Sequence, residues 1–356
     1  MTYTNNDYSN VFYRILIKIN TIFGKTPNRN NLEAIPSLIK TENKNLKLAA
    51  VDIGSNAIRF QVTSVLTYKD TLSFKKVEYV RFPLRLGEDV FLNGEISPEK
   101  EAKFIKLMHT FKNLFELYEV NDYIICATSA MRESKNGRDI AFKVKDLLGV
   151  EINIIDGEEE ADLINRVLMN EISTGSAIHI DVGGGSTEIN IFVDKVKIAT
   201  KSFKIGSVRR LRKQDSPEEW LEMENWIKEN SAKVRKPITA VGTGGNIGKI
   251  YELSELSKSR KFRPHISLKK IDEVIQKVQA LDYEERIHVL MLNPDRADVI
   301  IPASEIYTSA MKWSGAKDMI VPEIGLKDGL MLKLFERNKA DLIEYSKFEN
   351  TNKYQK

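Results

Sequence analysis

Twice in this chain an apolar run ends in aspartate and small residues, and each time two further strand-like runs follow. Leu48 to Ile53 leads into Asp52-Ile53-Gly54-Ser55-Asn56, then Ala57 to Val65 and Leu72 to Phe82. Ala177 to Val182 leads into Asp181-Val182-Gly183-Gly184-Gly185-Ser186, then Ile189 to Val193 and Val196 to Phe203. Alternation within the runs predicts strands, and the glycines between them predict tight turns. Strand, bare turn and two more strands make an antiparallel start to a mixed sheet. Its recurrence predicts a duplicated unit whose two turns meet across a cleft.

After each triplet the period changes. Residues 99–118 carry Phe104, Leu107, Met108, Phe111, Leu114, Phe115 and Tyr118 at helical spacing. A strand at 122–127, a loop over Ala127–Glu133, a helix near 137–148, a strand at 151–155 and a helix opening at Gly157 follow. In the second half, helices are expected near 217–232, 245–254, 268–280, 298–314 and 326–344, with strands at 237–241 and 317–321. Strands alternating with helices give an α/β class with helix-covered sheets.

Composition narrows the function. The 356 residues are 42% hydrophobic and 29% charged, enough for a packed core. A net charge of +4 fits a local basic patch for an anionic substrate but is not the footprint of a nucleic-acid binder. No run approaches a membrane span, and Val11 to Phe23 is broken by Arg14, Lys18 and Asn20, so neither anchor nor signal peptide is expected. Cys126 is the single cysteine, which suits a reducing cytoplasm; within Tyr123-Ile124-Ile125-Cys126-Ala127 it reads as a core thiol.

The chemistry is carried by the turns. A strand-end aspartate can hold a metal or its bound water, so Asp52 and Asp181 are candidate ligands, and Glu188 could share a metal with Asp181. Glycines let backbone N–H groups approach phosphate oxygens. Gly54, Ser55 and Asn56 in the first turn and Gly183, Gly184, Gly185, Ser186 and Thr187 in the second are therefore candidate phosphate binders. A third turn, Gly242-Thr243-Gly244-Gly245-Asn246, ends a strand and opens a helix, where bare amides favour anions and add Gly244 and Gly245. Arg132, in the loop after a strand, can clamp phosphate. Asp156-Gly157-Glu158-Glu159-Glu160 starts a helix; acidic residues favour that end of the dipole, and one of the three glutamates can also serve as general base. Successive helical residues fan by about 100°, so at most one faces the cleft squarely. Glu188 is expected on a surface rather than facing the core. His179 points to the same face as Asp181 and reads as a satisfied core histidine. The basic stretches Lys204–Lys213 and Lys258–Arg263 are either solvated faces or guides for a polyanion.

These residues resemble the exopolyphosphatase / guanosine pentaphosphate phosphohydrolase family, part of the superfamily of actin, the heat-shock chaperone ATPases and the sugar kinases. The resemblance covers about Leu48 to Leu334 and rests on ordered motifs. They are Ala49-Ala-Val-Asp-Ile-Gly-Ser-Asn56, Arg85-Leu-Gly-Glu88, Ala127-Thr-Ser-Ala-Met-Arg-Glu133, Gly157-Glu-Glu-Glu-Ala161, Asp181-Val-Gly-Gly-Gly-Ser-Thr-Glu188, Gly206-Ser-Val-Arg209, Ala240-Val-Gly-Thr-Gly-Gly-Asn246 and Arg296-Ala-Asp-Val-Ile-Ile-Pro302. It implies two actin-like domains with five-stranded mixed sheets and a cleft between them. The expected organisation is an extension over 1–46, a first domain over 47–168, a second over 169–325, and a last helix near 326–345 returning to the first. The implied reaction is Mg²⁺-dependent release of terminal orthophosphate from polyphosphate or guanosine pentaphosphate, with Mn²⁺ as a second option. Glu159, two residues before Ala161, matches the family's catalytic glutamate. The partners implied are the polyanionic substrate and, as an option, a second copy of the chain. Asp156 stands where the motif usually has Ser, and Ser207 where many members have Cys. A nucleotide-binding sensor or kinase on the same fold is the alternative.

Overall fold

The structure, a computed structural model, describes residues 46–68, 71–172, 174–256 and 264–352. The extension expected over 1–46, except its last residue, and the basic stretch Lys258–Arg263 fall outside them.

The first three strands, β1 (Leu46–Ile53), β2 (Ile58–Tyr68) and β3 (Thr71–Phe82), form an antiparallel meander. Helices α1 (Leu86–Asn93) and α2 (Pro98–Leu117) lead to β4 (Asp122–Ala127), which pairs parallel to β1. Helices α3 (Ser129–Glu133) and α4 (Gly137–Leu148) precede the short β5 (Asn153–Ile154), giving a five-stranded sheet ordered β3-β2-β1-β4-β5. Helix α5 (Gly157–Leu168) then crosses to the second sheet.

There β6 (Ser176–Val182), β7 (Thr187–Val193) and β8 (Val196–Phe203) repeat the meander, and β9 (Ile238–Thr243) pairs parallel to β6 as β4 does to β1. The strands β10 (His265–Ser267) and β11 (Asp318–Ile320) complete the order β10-β11-β9-β6-β7-β8. This sheet has six strands, not the five expected: three residues of β10 pair antiparallel to β11 at the edge, too short a run to carry a readable alternation. The second-half helices are α6 (Ser207–Leu211), α7 (Pro217–Ala232), α8 (Gly245–Leu253), α9 (Leu268–Gln279), α10 (Tyr283–His288), α11 (Pro294–Ala297), α12 (Ile300–Ser314) and α13 (Leu326–Asn352).

Strand alternation sends β1 side chains to two helical layers. Val51 and Ile53, with Phe60 of β2, bury against Phe104, Met108 and Phe111 of α2, where Phe60 and Phe111 stack at 4.9 Å. Each fully buried aromatic of this kind contributes roughly 2–3 kcal/mol by removal from water. Leu48 and Ala50 face the other way, onto Ile164 of α5 and Leu330 and Leu334 of α13. The chain's last helix thus covers its first sheet. On the second sheet Ile178, Ile180, Ile189 and Ile191 pack under α7, α9 and α12. Its other face, with Phe192 and Val241, meets Val167 and Leu168 of α5. Helix α5 is therefore wedged against both sheets, Ile164 on one and Leu168 on the other, and this fixes where its acidic first turn sits.

Candidate active site

The two aspartate-led turns are closed by the same bond. Gly54 N–H donates to the Ala57 carbonyl at 3.2 Å, and Gly183 N–H to the Ser186 carbonyl at 3.0 Å. They also touch. A Cβ placed on Gly184 would stand 2.9 Å from Ser55 Cβ and 3.2 Å from Asn56 N, so only glycine allows this approach. Ser55 is held by the Ala130 amide, which donates to its Oγ at 3.1 Å, and by Ser129 Oγ at 2.8 Å. Asn56 Nδ2 donates across the cleft to the Asp295 carbonyl at 3.0 Å. The third turn is left-handed at Gly244, with φ of 107°, and brings the N-terminus of α8 to the same space.

These turns line a cavity of about 320 Å³ between the sheets, room for a small ligand or a chain end. One side is basic. Arg59 of β2 and Arg81 of β3 are direct cross-strand partners. Like charges so placed destabilise a sheet unless each is offset. Arg59 Nη1 donates to Asp52 Oδ2 at 2.8 Å, and Arg81 forms a bidentate pair with Asp295. Arg296 of α11 closes the group. It stands beside Gly245 and makes no side-chain hydrogen bond or ion pair among the described residues. Burial, then the charge of Arg81, pulls its pKa below the usual guanidinium value. An unpaired arginine beside two others and a helix N-terminus is a strong anion site. Sequence reading missed all three as binding residues. Arg59 and Arg81 look like ordinary strand arginines until the register sets them opposite, and Arg296 stood only inside a motif.

The other side is acidic. Asp156 caps α5 by accepting from the Glu158 and Glu159 amides at 3.0 and 2.8 Å, so this departure from serine keeps the capping role. The helical fan then separates the three glutamates. Glu160 lines the cleft, and its Oε2 is buried with no hydrogen-bond partner. Burial, then Glu188, Asp181 and Asp52, raises its pKa well above the ordinary carboxylate value. Glu188 is 2% exposed and accepts from Ser202 Oγ at 2.9 Å; burial and then Asp181 push it up to about 7. Asp181 is raised by burial, against a hydrogen bond from Thr243 and the charge of Arg59. Arg132 Nη1 donates to the Ile155 carbonyl at 2.8 Å, and its charge holds down both Glu160 and Glu188.

Several sequence expectations change here. Glu159, matched to the family's catalytic glutamate, points away from the cleft: its side chain is 47% exposed and meets Lys333 Nζ at 3.3 Å. One helical step of about 100° separates it from Glu160. Glu188 is buried, not superficial, because a one-residue alternation error reverses a strand's faces. Thr187 is fully buried, donating to the Ile205 carbonyl at 2.6 Å, and does not line the cavity. Gly185 packs on Phe91 and Ser129 instead, where a Cβ would stand 2.6 Å from Ser129 Oγ. Arg132 does not line the cavity; it acts on the cleft through its charge on Glu160. Asp52, Gly54, Ser55, Asn56, Asp181, Gly183, Gly184, Ser186, Gly244 and Gly245 do line it. Among the described residues, no three His, Cys, Asp or Glu side chains are gathered as a metal-holding group, so Asp52, Asp181 and Glu188 do not form the expected ligand set; Asp52 is engaged by Arg59. The basic run after β8 is structural. Arg209 binds Glu133, Arg210 binds Asp215 and Glu305, and Arg212 binds Glu88. Cys126 is buried with its thiol pushed up to about 12, mainly by burial, as a core thiol should be. No helix among the described residues is long and apolar enough to cross a membrane.

Two α/β halves that repeat one meander, with glycine turns and charged groups converging in the cleft between them, define the actin-like fold class. The particular family follows from comparison. The chain belongs to the Ppx/GppA phosphatase family, whose model matches residues 65–338. It is 27% identical over 327 residues to a bifunctional 3-dehydroquinate synthase/phosphatase of Fusobacterium nucleatum, covering 85% of this chain and 48% of that one; it thus spans about half that relative's length. It is 27% identical over 316 residues to exopolyphosphatase 2 of Mycobacterium tuberculosis, covering 81% of this chain and 98% of the relative. The fold matches the crystal structure of an exopolyphosphatase from Cytophaga hutchinsonii with a TM-score of 0.70 at 20% identity, over 82% of this chain and 98% of that one.

Proposed function

We propose that this chain is a phosphohydrolase that removes the terminal phosphoryl group of inorganic polyphosphate or guanosine pentaphosphate within the cleft. The observation that carries the reading is Glu160 Oε2: buried, unpartnered and on the cleft wall, across from the glycine turns and arginines. Phosphoryl transfer needs positioning and charge stabilisation more than covalent chemistry. Arg296, Arg81 and Arg59 would bind the chain's charge. The amides of Gly184 and Gly245 would orient the terminal group. Glu160 Oε2 would accept the proton of the attacking water; burial and the neighbouring carboxylates raise its affinity for a proton, as that role requires.

A divalent cation fits this site. Burial raises both Asp181 and Glu188, and the charge of Asp181 raises Glu188 further, so a counter-charge is wanted there; the pair are cross-strand partners, which sets two carboxylates side by side. Mg²⁺ is commonly held by one or two carboxylates plus substrate phosphates, so a preformed protein cage is not required. Asp181 and Glu188, cross-strand partners, would hold Mg²⁺, or Mn²⁺, which when bound would offset phosphate charge. The halves 47–168, with the last helix, and 169–325 would act as the two domains, in a reducing cytoplasm.

The test is a phosphate-release assay on polyphosphate and on guanosine pentaphosphate, with and without Mg²⁺, comparing Glu160→Gln with Glu159→Gln. Loss in the first variant alone is expected. Loss in the second with activity retained in the first would return the base role to Glu159.

A further inference from the structure

Four consecutive residues, Gly206-Ser-Val-Arg209, are fastened to the second glycine turn. Gly206 lies against it: a Cβ there would stand 2.5 Å from the Gly185 carbonyl carbon and 2.6 Å from the Gly184 oxygen, so only glycine fits. Ser207 donates its amide and its hydroxyl to the Gly183 carbonyl at 3.0 and 3.1 Å. The Val208 and Arg209 amides both donate to the Gly184 carbonyl, at 2.8 and 3.0 Å. Arg209 Nε donates to the Gly185 carbonyl at 2.8 Å. The first turn is backed in the same way by Arg85-Leu-Gly-Glu88. There the Arg85 amide donates to the Asn56 carbonyl at 3.0 Å, and the Gly87 amide to the Ser55 carbonyl at 2.8 Å.

A trans peptide points its C=O and the N–H that follows it in opposite directions. The Gly183 carbonyl is drawn to Ser207, so the Gly184 amide turns away from the motif. The Gly185 carbonyl is drawn to Arg209, so the Ser186 amide turns away as well. Gly184 and Ser186 both line the cavity, and neither N–H has an acceptor among the described residues. Donors fixed in this way stabilise charge without rearranging. Arg209 also reaches the first half. It is 8% exposed, its Nη2 donates to both Glu133 oxygens at 2.9 and 2.7 Å, and its guanidinium lies 4.1 Å over the Phe91 ring. The planar fork makes both bonds at once and ties the Gly185–Ser186 peptide of one half to Glu133 of the other. The ion pair with Glu133 is therefore only part of what this side chain does.

We infer that Arg209 is a positioning residue: braced on Glu133, it holds the Gly185 carbonyl and so aims the Ser186 amide, beside that of Gly184, at a phosphoryl group in the cleft. This rests on the phosphohydrolase reading for its kinetic consequence but not for the aim of the amide. An arginine that served only as an ion pair would hold the halves together without touching turnover.

The test is phosphate release from polyphosphate by the full chain, with melting temperature measured alongside. Arg209→Lys keeps a cation for Glu133 but loses the fork that reaches the Gly185 carbonyl at the same time. It is expected to lower kcat roughly tenfold to a hundredfold with KM within about twofold, since Arg59, Arg81 and Arg296 are untouched. A folded Arg209→Lys protein with wild-type kcat would overturn the proposal, because an ion pair alone is restored by lysine. Amide NMR of the unmutated chain, ¹⁵N-labelled at glycine and serine, gives a readout independent of turnover. Orthophosphate added with Mg²⁺ should move the Gly184 and Ser186 resonances, and the Ser186 response should be lost in Arg209→Lys. A Ser186 amide that ignores orthophosphate in the unmutated chain would overturn the proposal whether or not the variant folds. A response that depends on Arg209, in a chain that releases phosphate from no polyanion, would sink the phosphohydrolase reading and leave the aim of the amide standing.

Discussion

The two aspartate-led turns are the same device carrying opposite electrostatics. Asp52 faces Arg59 across β1 and β2, and Asp181 faces Glu188 across β6 and β7, the equivalent position in each meander. The first pair is neutralised at 2.8 Å; in the second, burial lifts both carboxylates, and the charge of Asp181 lifts Glu188 further. A duplicated motif has thus been split into a half that anchors an arginine for anions and a half that stores carboxylate charge for a cation or a proton. Glu160 belongs to the second kind though it follows the first sheet, because α5 is wedged between the two.

The largest expected effect tests where that acidic half does its chemistry. Glu160→Gln should lower kcat by about 10²–10⁴-fold, the usual worth of a general base, measured by phosphate release. Breaking the neutralised pair comes next. Arg59→Gln leaves Asp52 buried and unpaired, and should cost roughly 3 kcal/mol in denaturant unfolding. The same register position in the other half should respond with the opposite sign. Glu188→Gln removes a repulsion and should raise stability at pH 8; a loss there would erase the contrast.

The pH dependence sharpens this further. Glu188 is raised from 4.5 to about 7 in the fold, so the native state binds more protons than the unfolded chain between those values. Its stabilising contribution is complete below about pH 4.5 and is lost as pH rises through 7, with a slope of up to about 1.4 kcal/mol per pH unit. Unfolding midpoints measured from pH 5 to 8 should fall, and Glu188→Gln or added Mg²⁺ should flatten them. The smallest effects are at the helix start. Asp156→Ala should cost about 1 kcal/mol through the lost cap, and Asp156→Ser should be near neutral. Glu159→Gln should change stability by less than about 0.5 kcal/mol and leave turnover intact.

Much of the site was legible because its backbone part is local. A glycine turn between two strands is written in consecutive residues, and so is an acidic helix start capped by Asp156. Ten of the cleft-lining positions were readable on that basis. What was not legible depends on phase and register. Glu158, Glu159 and Glu160 are alike as letters, and only the packing of Ile164 and Leu168 against two different sheets selects Glu160. Likewise Arg81 meets Asp295 across 214 positions of chain, a pairing no local pattern encodes.

The sequence by itself determined the duplicated strand–turn meander and the positions of its aspartates, because backbone conformation there follows from alternation and the absence of Cβ atoms. Which charges meet was settled by packing: Arg59 with Arg81 and Arg296, Glu160 with Glu188. Electrostatic energy depends on distance and burial, and both are set only when the two sheets close on the helix between them.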